Sequence, residues 1–385
     1  MSYQNLEEYL VKRSYFDQGG LWGWGYNNYG QLGTTTIGTG TSSPVQTFAG
    51  GTNWKSVSCG GYNSAAIKTD GTLWTWGLNL YGQLGNNDSG VGERSSPIQT
   101  VSGGTDWKAV AGGDNHMTAI KTDGTLWTWG FNTSGQLGTN DITHRSSPIQ
   151  TVSGGTDWKQ VSAGRSHTAT IKNNGELWTF GDNTYGQLGD SSLLHKSSPI
   201  QTIAGGTNWK SVICGGYHTT AIKTDGTLWV WGENASGQLG VGDVAIRSSP
   251  VQTVAGGNDW KSVGAGYANT AAIKTNGELW NWGRNDYGQL GTNDRTSRSS
   301  PIQTVAGGND WKSVDVGVGG LHTVALKLNG EVWNWGYNLV GCLGDNSVAP
   351  KSSPVQTVAG GTNWKMVVCG DAHTMAINES WGIVT

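Results

Sequence analysis

Along residues 44–85, apolar and polar residues alternate in short runs, each closed by glycine or a small polar residue. Residues 44–47 read as a strand opened by Pro44, which suits an outer edge because proline cannot donate to a ladder. Gly50-Gly51-Thr52-Asn53 is a turn, and residues 54–59 alternate as a second strand. Residues 65–69 and 72–76 flank Asp70-Gly71. Asp-Gly between two such runs signals a two-residue hairpin with a type I′ turn. That turn places Ile67 opposite Trp74 and Ala65 opposite Trp76. Four short strands in about 50 residues make the blade of a β-propeller.

The pattern recurs. Trp-Gly or Phe-Gly pairs end at Gly25, Gly77, Gly130, Gly181, Gly232, Gly283 and Gly336, at intervals of 51 to 53 residues. Five residues on, each is followed by Gly-Gln-Leu-Gly, or by Gly341-Cys342-Leu343-Gly344 in the last copy. A constant period over seven copies predicts one array rather than several domains. Intact hairpin turns stand at residues 70, 123, 174, 225, 276 and 329, one fewer than the seven Trp-Lys strands. The missing hairpin is split between residues 373–377 and 21–24, and pairing these closes the ring and removes its exposed edges. The predicted fold class is all-β, a seven-bladed β-propeller of four-stranded blades over residues 19–385, closed by its N- and C-terminal strands. Residues 1–18 lie outside the repeat. Leu6, Tyr9, Leu10 and Arg13 fall at helical spacing, which predicts a short helix that caps the ring or docks onto a larger assembly.

Charge adds little. Lys plus Arg is 24 and Asp plus Glu is 27, so the net charge of −3 gives no pull toward nucleic acid or a membrane. Many of the basic residues follow the strand tryptophan or the hairpin isoleucine, an even spread and not a binding stripe. Nearly all 21 tryptophans occupy three repeat positions, which is a packing pattern. No apolar run reaches membrane-spanning length, and the start lacks a basic-then-apolar signal peptide. Cytoplasm or a virion surface is the expected setting. Cys59, Cys214 and Cys369 share a repeat position with Gly112, Ala163, Ala265 and Val316, which reads as a small buried slot and not a redox or metal site. No nucleophile elbow, phosphate loop or metalloprotease motif is present, so the expectation is a non-enzyme without cofactor or metal. Five basic residues before the Ser-Ser-Pro motif share a loop with Asp141, Asp190, Asp243, Asp294 or Asp345, which predicts ion pairs within those loops.

The string Leu-Trp-Thr-Trp-Gly-x-Asn-x-x-Gly-Gln-Leu-Gly, with a downstream Gly-x-x-His-Thr, resembles the regulator-of-chromosome-condensation repeat over residues 19–382. The resemblance implies a seven-bladed propeller but no single activity, since relatives include a nucleotide-exchange factor, a plant ultraviolet photoreceptor and ligase-associated domains. The exchange factor uses an insertion in one blade and a basic tail. Here the period never exceeds 53, and the leader offers only Lys12 and Arg13. The photoreceptor carries Trp-Arg just before the histidine of selected repeats. Those positions here hold Gly61-Tyr62, Asp114-Asn115, Arg165-Ser166, Gly216-Tyr217, Tyr267-Ala268, Gly320-Leu321 and Asp371-Ala372. The histidines themselves (His116, His167, His218, His322 and His373, with Asn63 and Asn269 in the other copies) are implied to be structural, each bonding a backbone carbonyl.

Function is then sought where the copies differ. After the Trp-Gly pair stand Tyr337, Tyr26, Leu78 and Phe131 on blades 7, 1, 2 and 3, against Asp182, Glu233 and Arg284 on blades 4, 5 and 6. Leu80, Leu339 and Val340 extend the apolar arc, which is the predicted partner-binding surface. The expected function is a non-enzymatic recognition or scaffold propeller for a protein or glycan partner, with a phage decoration or fibre component as one setting. The alternative is an intracellular regulator of the nucleotide-exchange type.

Overall fold

In the computed structural model, which describes residues 20–48, 50–90 and 92–379, the repeats form seven four-stranded antiparallel sheets. The leader helix expected in residues 1–18 lies outside the described residues. Within a blade, the Trp-Lys strand lies innermost and the Ser-Ser-Pro strand outermost, as in Trp54–Cys59, Asn63–Lys68, Leu73–Gly77 and Arg94–Gln99 of blade 2. The proline strand is an outer edge, as its missing donor requires.

Blade 1 is composite. Gly20–Asn27 pairs with His373–Asn378, from Gly20↔Asn378 to Gly25↔His373, and with Gly38–Gln46 on its other side. The Asn378 Oδ1 clamps the seam, accepting from the Gly20 backbone N–H at 2.7 Å and the Trp22 indole at 3.0 Å.

The hairpin differs from expectation by one residue. Ile67 pairs with Leu73, Ala66 with Trp74 and Ser64 with Trp76. The cause is local. Asp70 keeps a negative φ, and its Oδ1 accepts from both the backbone N–H and the hydroxyl of Thr72, at 2.9 and 2.7 Å. The bend therefore spans three residues, with Gly71 at φ +83° as the bulge residue, instead of a type I′ pair. Because side chains alternate with period two, the shift exchanges faces. Ala65, Ile67 and Leu73 pack against Trp107, Met117 and Trp129 of blade 3, whereas Ala66 and Trp76 join Trp54, Leu21 and Ile377 between blades 1 and 2.

The core is thus seven inter-blade layers, six built on two tryptophans and the seventh, between blades 3 and 4, on Trp158 and Phe180. The inner-strand indole donates to a glycine carbonyl four residues back, as Trp54 does to Gly50 at 3.0 Å. In blades 2, 3, 5, 6 and 7 the third-strand indole crosses to the preceding blade, as Trp76 does to the Gln31 carbonyl at 2.8 Å. A lysine lies between two rings on the hairpin side, with Lys68 Nζ 4.9 Å from the Trp54 centroid and 4.5 Å from that of Trp74.

Candidate partner-binding face

The histidine position also works between blades. His116, His167, His218, His322 and His373 are fully buried, and each Nε2 lies 2.9–3.0 Å from a hydroxyl on the next blade, namely Thr168, Thr219, Thr270, Thr374 and Ser64. The carbonyl partner expected from sequence is corrected to this hydroxyl. The carbonyl is one bond further on. Thr168, Thr219 and Thr270 donate to the carbonyls of Gln136, Gln187 and Gln238 at 2.9, 2.7 and 2.8 Å. A hydroxyl that donates there must accept from the imidazole, so Nε2 carries the proton and Nδ1 is bare. Burial lowers these histidines to a pKa of about 3 (His116, His218, His373) or about 4 (His167, His322), so they are neutral staples. Where Asn63 replaces histidine, blade 3 offers Met117 in place of a hydroxyl.

One face of the ring, reached by the third strand and left by the fourth, carries every predicted site residue. Leu80 and Leu339 are exposed, at 53% and 57%. Tyr26, Leu78, Phe131, Tyr337 and Val340 are half-buried. Their rings are shared with neighbours the sequence reading passed over. Tyr26, Tyr29 and Tyr62 form a triangle with centroids 5.3–6.1 Å apart, and Tyr81 lies 4.7 Å from Phe131, which stacks on His144. On the opposite arc, Asp182 is nearly buried and accepts from the backbone and hydroxyl of Thr184, so it is a turn residue as well as a charge. Aromatics extend to that side through Tyr185, Tyr217 and Tyr267, so the aromatic surface is wider than the predicted arc.

The loops that rim this face are tied down by the expected ion pairs. Arg145 meets Asp141, Lys196 meets Asp190, Arg247 meets Asp243, Arg298 meets Asp294 and Lys351 meets Asp345. Arg94 and Asp88 add a sixth at 3.3 Å. The paired acids are held below the usual carboxylate range in Asp141, Asp190, Asp243 and Asp294 by loop hydrogen bonds and these cations.

At the centre of the same face lies a cavity of about 410 Å³ lined by Tyr29, Tyr62, Tyr81, Tyr267, Leu78 and Leu80 together with Asp114, Arg165 and Asp371. The Arg165 Nε lies 3.4 Å from Asp114 Oδ2, and its guanidinium sits 5.3 and 5.8 Å from the Tyr217 and Tyr267 rings. These three charges occupy the two repeat positions just before the histidine, where a photoreceptor would carry Trp-Arg. They are the only charged residues among those seven pairs, which was the available signal. The four cysteines are buried with free thiols, and burial raises all of them, Cys214 to about 12. Among the described residues, no group of three or more metal-ligating side chains comes together.

A family model described as the RCC1-like domain matches residues 20–376. The Arabidopsis thaliana ultraviolet-B receptor UVR8 is 33% identical over 337 residues, covering 86% of this chain and 76% of that protein. The human E3 ubiquitin-protein ligase HERC2 is 29% identical over 383 residues, 94% of this chain but only 8% of the ligase. Among solved structures, yeast RCC1 (Prp20) bound to Kap60 superposes with a TM-score of 0.83 at 20% identity, covering 95% of this chain and 90% of that one. Human WBSCR16 does so with a TM-score of 0.83 at 22% identity, covering 94% of this chain and 100% of that one. At these identities the structural likeness speaks for the fold, and the family match together with the UVR8 relationship establishes that the chain belongs to the RCC1-like domain family.

Proposed function

We propose that the chain is a recognition propeller that docks a protein partner on the face bearing the tyrosine-lined cavity. The observation that carries this is the concentration of half-exposed aromatics and the exposed Leu80 and Leu339 around one mouth, since aromatic anchors beside apolar groups dominate protein interfaces. The rim loops are braced by ion pairs and the blades by neutral histidine staples, so the face is held rigid before it binds. Structural neighbours of the same fold also bind proteins. The structure of Prp20 with Kap60 is a protein complex, and Prp20p is described by its binding to Gsp1p and histones. Exposed leucines favour a protein over a glycan, because a sugar leaves isolated aliphatic side chains unmatched.

Light reception, suggested by the UVR8 relationship, is not favoured. The mouth is lined by tyrosines, and the tryptophans serve the inter-blade layers. The HERC2 match covers too little of that ligase to bring its activity here. Neither the family match nor the relatives support a virion setting.

The test uses the partner isolated from the native source. The combined change Tyr26→Ser, Leu78→Ser and Phe131→Ser should abolish its binding while the melting curve stays close to that of the parent. Asp286→Ser, at the exposed carboxylate that pairs with Arg284, together with Glu233→Ser, both on the opposite arc, should bind nearly as the parent does. Equal loss from both variants would count against an interface centred on the aromatic arc.

A further inference from the structure

The Asp371 carboxylate is short of a partner. It stands on blade 1 at the mouth and leans on the Gly319 backbone of blade 7, so closely that a Cβ at Gly319 would run into both of its oxygens. Its Oδ1 is closed off from solvent and accepts no hydrogen bond among the described residues. No cation lies within ion-pair distance of it there, because the mouth's one guanidinium, Arg165, is committed to Asp114. The mouth therefore holds two carboxylates against one cation. Burial, and then the Asp114 carboxylate, push Asp371 up to about 7, against the smaller opposing pull of Arg165 and the Gly319 backbone N–H. Beside it the cavity walls are the rings of Tyr62, Tyr29 and Tyr267 and the aliphatic side chains of Leu78 and Leu80. At about 410 Å³ the cavity is large enough for a side chain to enter.

We propose that this cavity receives the ammonium or guanidinium end of a lysine or arginine side chain from the docked partner. The cation would pair with Asp371, its aliphatic stem would lie along Leu78 and Leu80, and the tyrosine faces would supply further attraction to the positive charge. Arg165 is paired with Asp114, so that Asp371 is the carboxylate of the mouth left without an ion-pair partner among the described residues. An anion would be drawn to Arg165 instead, but would have to sit against two carboxylates. This inference rests on the mouth being the docking face and assigns the charge of the partner's anchor.

The full chain, labelled at leucine methyls, is titrated with a short lysine-containing peptide, with free cadaverine, with the same peptide carrying norleucine for lysine, and with inorganic phosphate. The Leu78 and Leu80 methyl signals should shift saturably with the lysine peptide and stay put with the norleucine peptide. Asp371→Asn should weaken binding at least ten-fold without lowering the melting temperature, and Glu379→Gln, on the other side of the ring, should leave it unchanged. Cadaverine binding ten-fold tighter than the peptide would keep the cation site and make its source a free amine. Shifts produced by phosphate but not by either cation, or unchanged binding by Asp371→Asn, would overturn the proposal. If the lysine peptide binds here while the aromatic-arc variant still captures the native partner, the cavity assignment stands and the docking-face reading falls.

Discussion

Acid should unfold this propeller through its histidine staples. In the folded chain His116, His167, His218, His322 and His373 titrate at about 3 to 4, whereas an unfolded histidine titrates near its usual value. A lowered folded pKa means that the unfolded chain binds more protons across the window between the two values, so stability falls as pH drops through that window. At pH 5 each histidine then disfavours the fold by about 2 kcal/mol relative to pH 7, and five together by about 10 kcal/mol. Buried acids oppose this. Burial raises Asp315 to about 6 and Asp371 to about 7, and their protonation between pH 7 and 5 returns about 4 kcal/mol together. Asp114 and Glu233 are raised by burial as well and push the same way. The net loss is on the order of 5 kcal/mol, a large share of the stability of a typical domain. The lowered carboxylates, such as Asp70 and Asp243, shift below their ordinary value and stay out of this window. Urea midpoints followed by tryptophan fluorescence at pH 7, 6 and 5 read the effect directly. His218→Gln should lower the parent's stability at pH 7 and remove about 2 kcal/mol of the acid loss, roughly two-fifths of the net. Stability that is flat between pH 7 and 5 would refute the neutral-staple account.

Other expectations follow from single positions. Asn269 has both side-chain polar atoms buried without a partner in the described residues, one blade before the Thr323 hydroxyl, so Asn269→His should complete a sixth staple and raise stability by about 1 kcal/mol in urea titrations. Asp315→Asn keeps an acceptor for the Cys369 N–H, now 2.7 Å from Asp315 Oδ2, and removes a buried charge. It should stabilise by about 1 to 3 kcal/mol at pH 7 and have no effect at pH 4, where the acid is protonated in the folded state, as melts at the two pH values will tell. Gly71→Ala meets both a φ of +83° and the Thr105 carbonyl, so it should lose at least about 2 kcal/mol in the same titration.

The ring was legible because it is written seven times. Period, hairpin count and the split last hairpin each bear on closure, and the Gly20–Asn27 pairing with His373–Asn378 follows from them. The loop ion pairs were legible for a similar reason, since both partners lie within one short segment. The hairpin register was not, because Asp-Gly is compatible with two bends and the choice is made by Thr72 bonding to Asp70. The histidine partner was hidden by distance: the hydroxyl that His218 reaches is 52 residues on and belongs to the next blade. The mouth escaped for another reason. Asp114, Arg165 and Asp371 come from three different repeats, and only ring geometry brings them to one cavity. A repeat alignment shows each as an isolated departure from the pattern.

Hydrogen–deuterium exchange on the complex with the native partner tests the docking face most directly. Protection is expected in the loops at residues 26–31, 61–63 and 78–83 and at residues 113–116 and 164–166, all of which border the mouth. The Gly50-Gly51 and Gly103-Gly104 turns and the Asp70-Gly71 hairpin, on the other side of the ring, should exchange as they do in the free chain. Protection confined to those turns, with the mouth loops unchanged, would contradict the account.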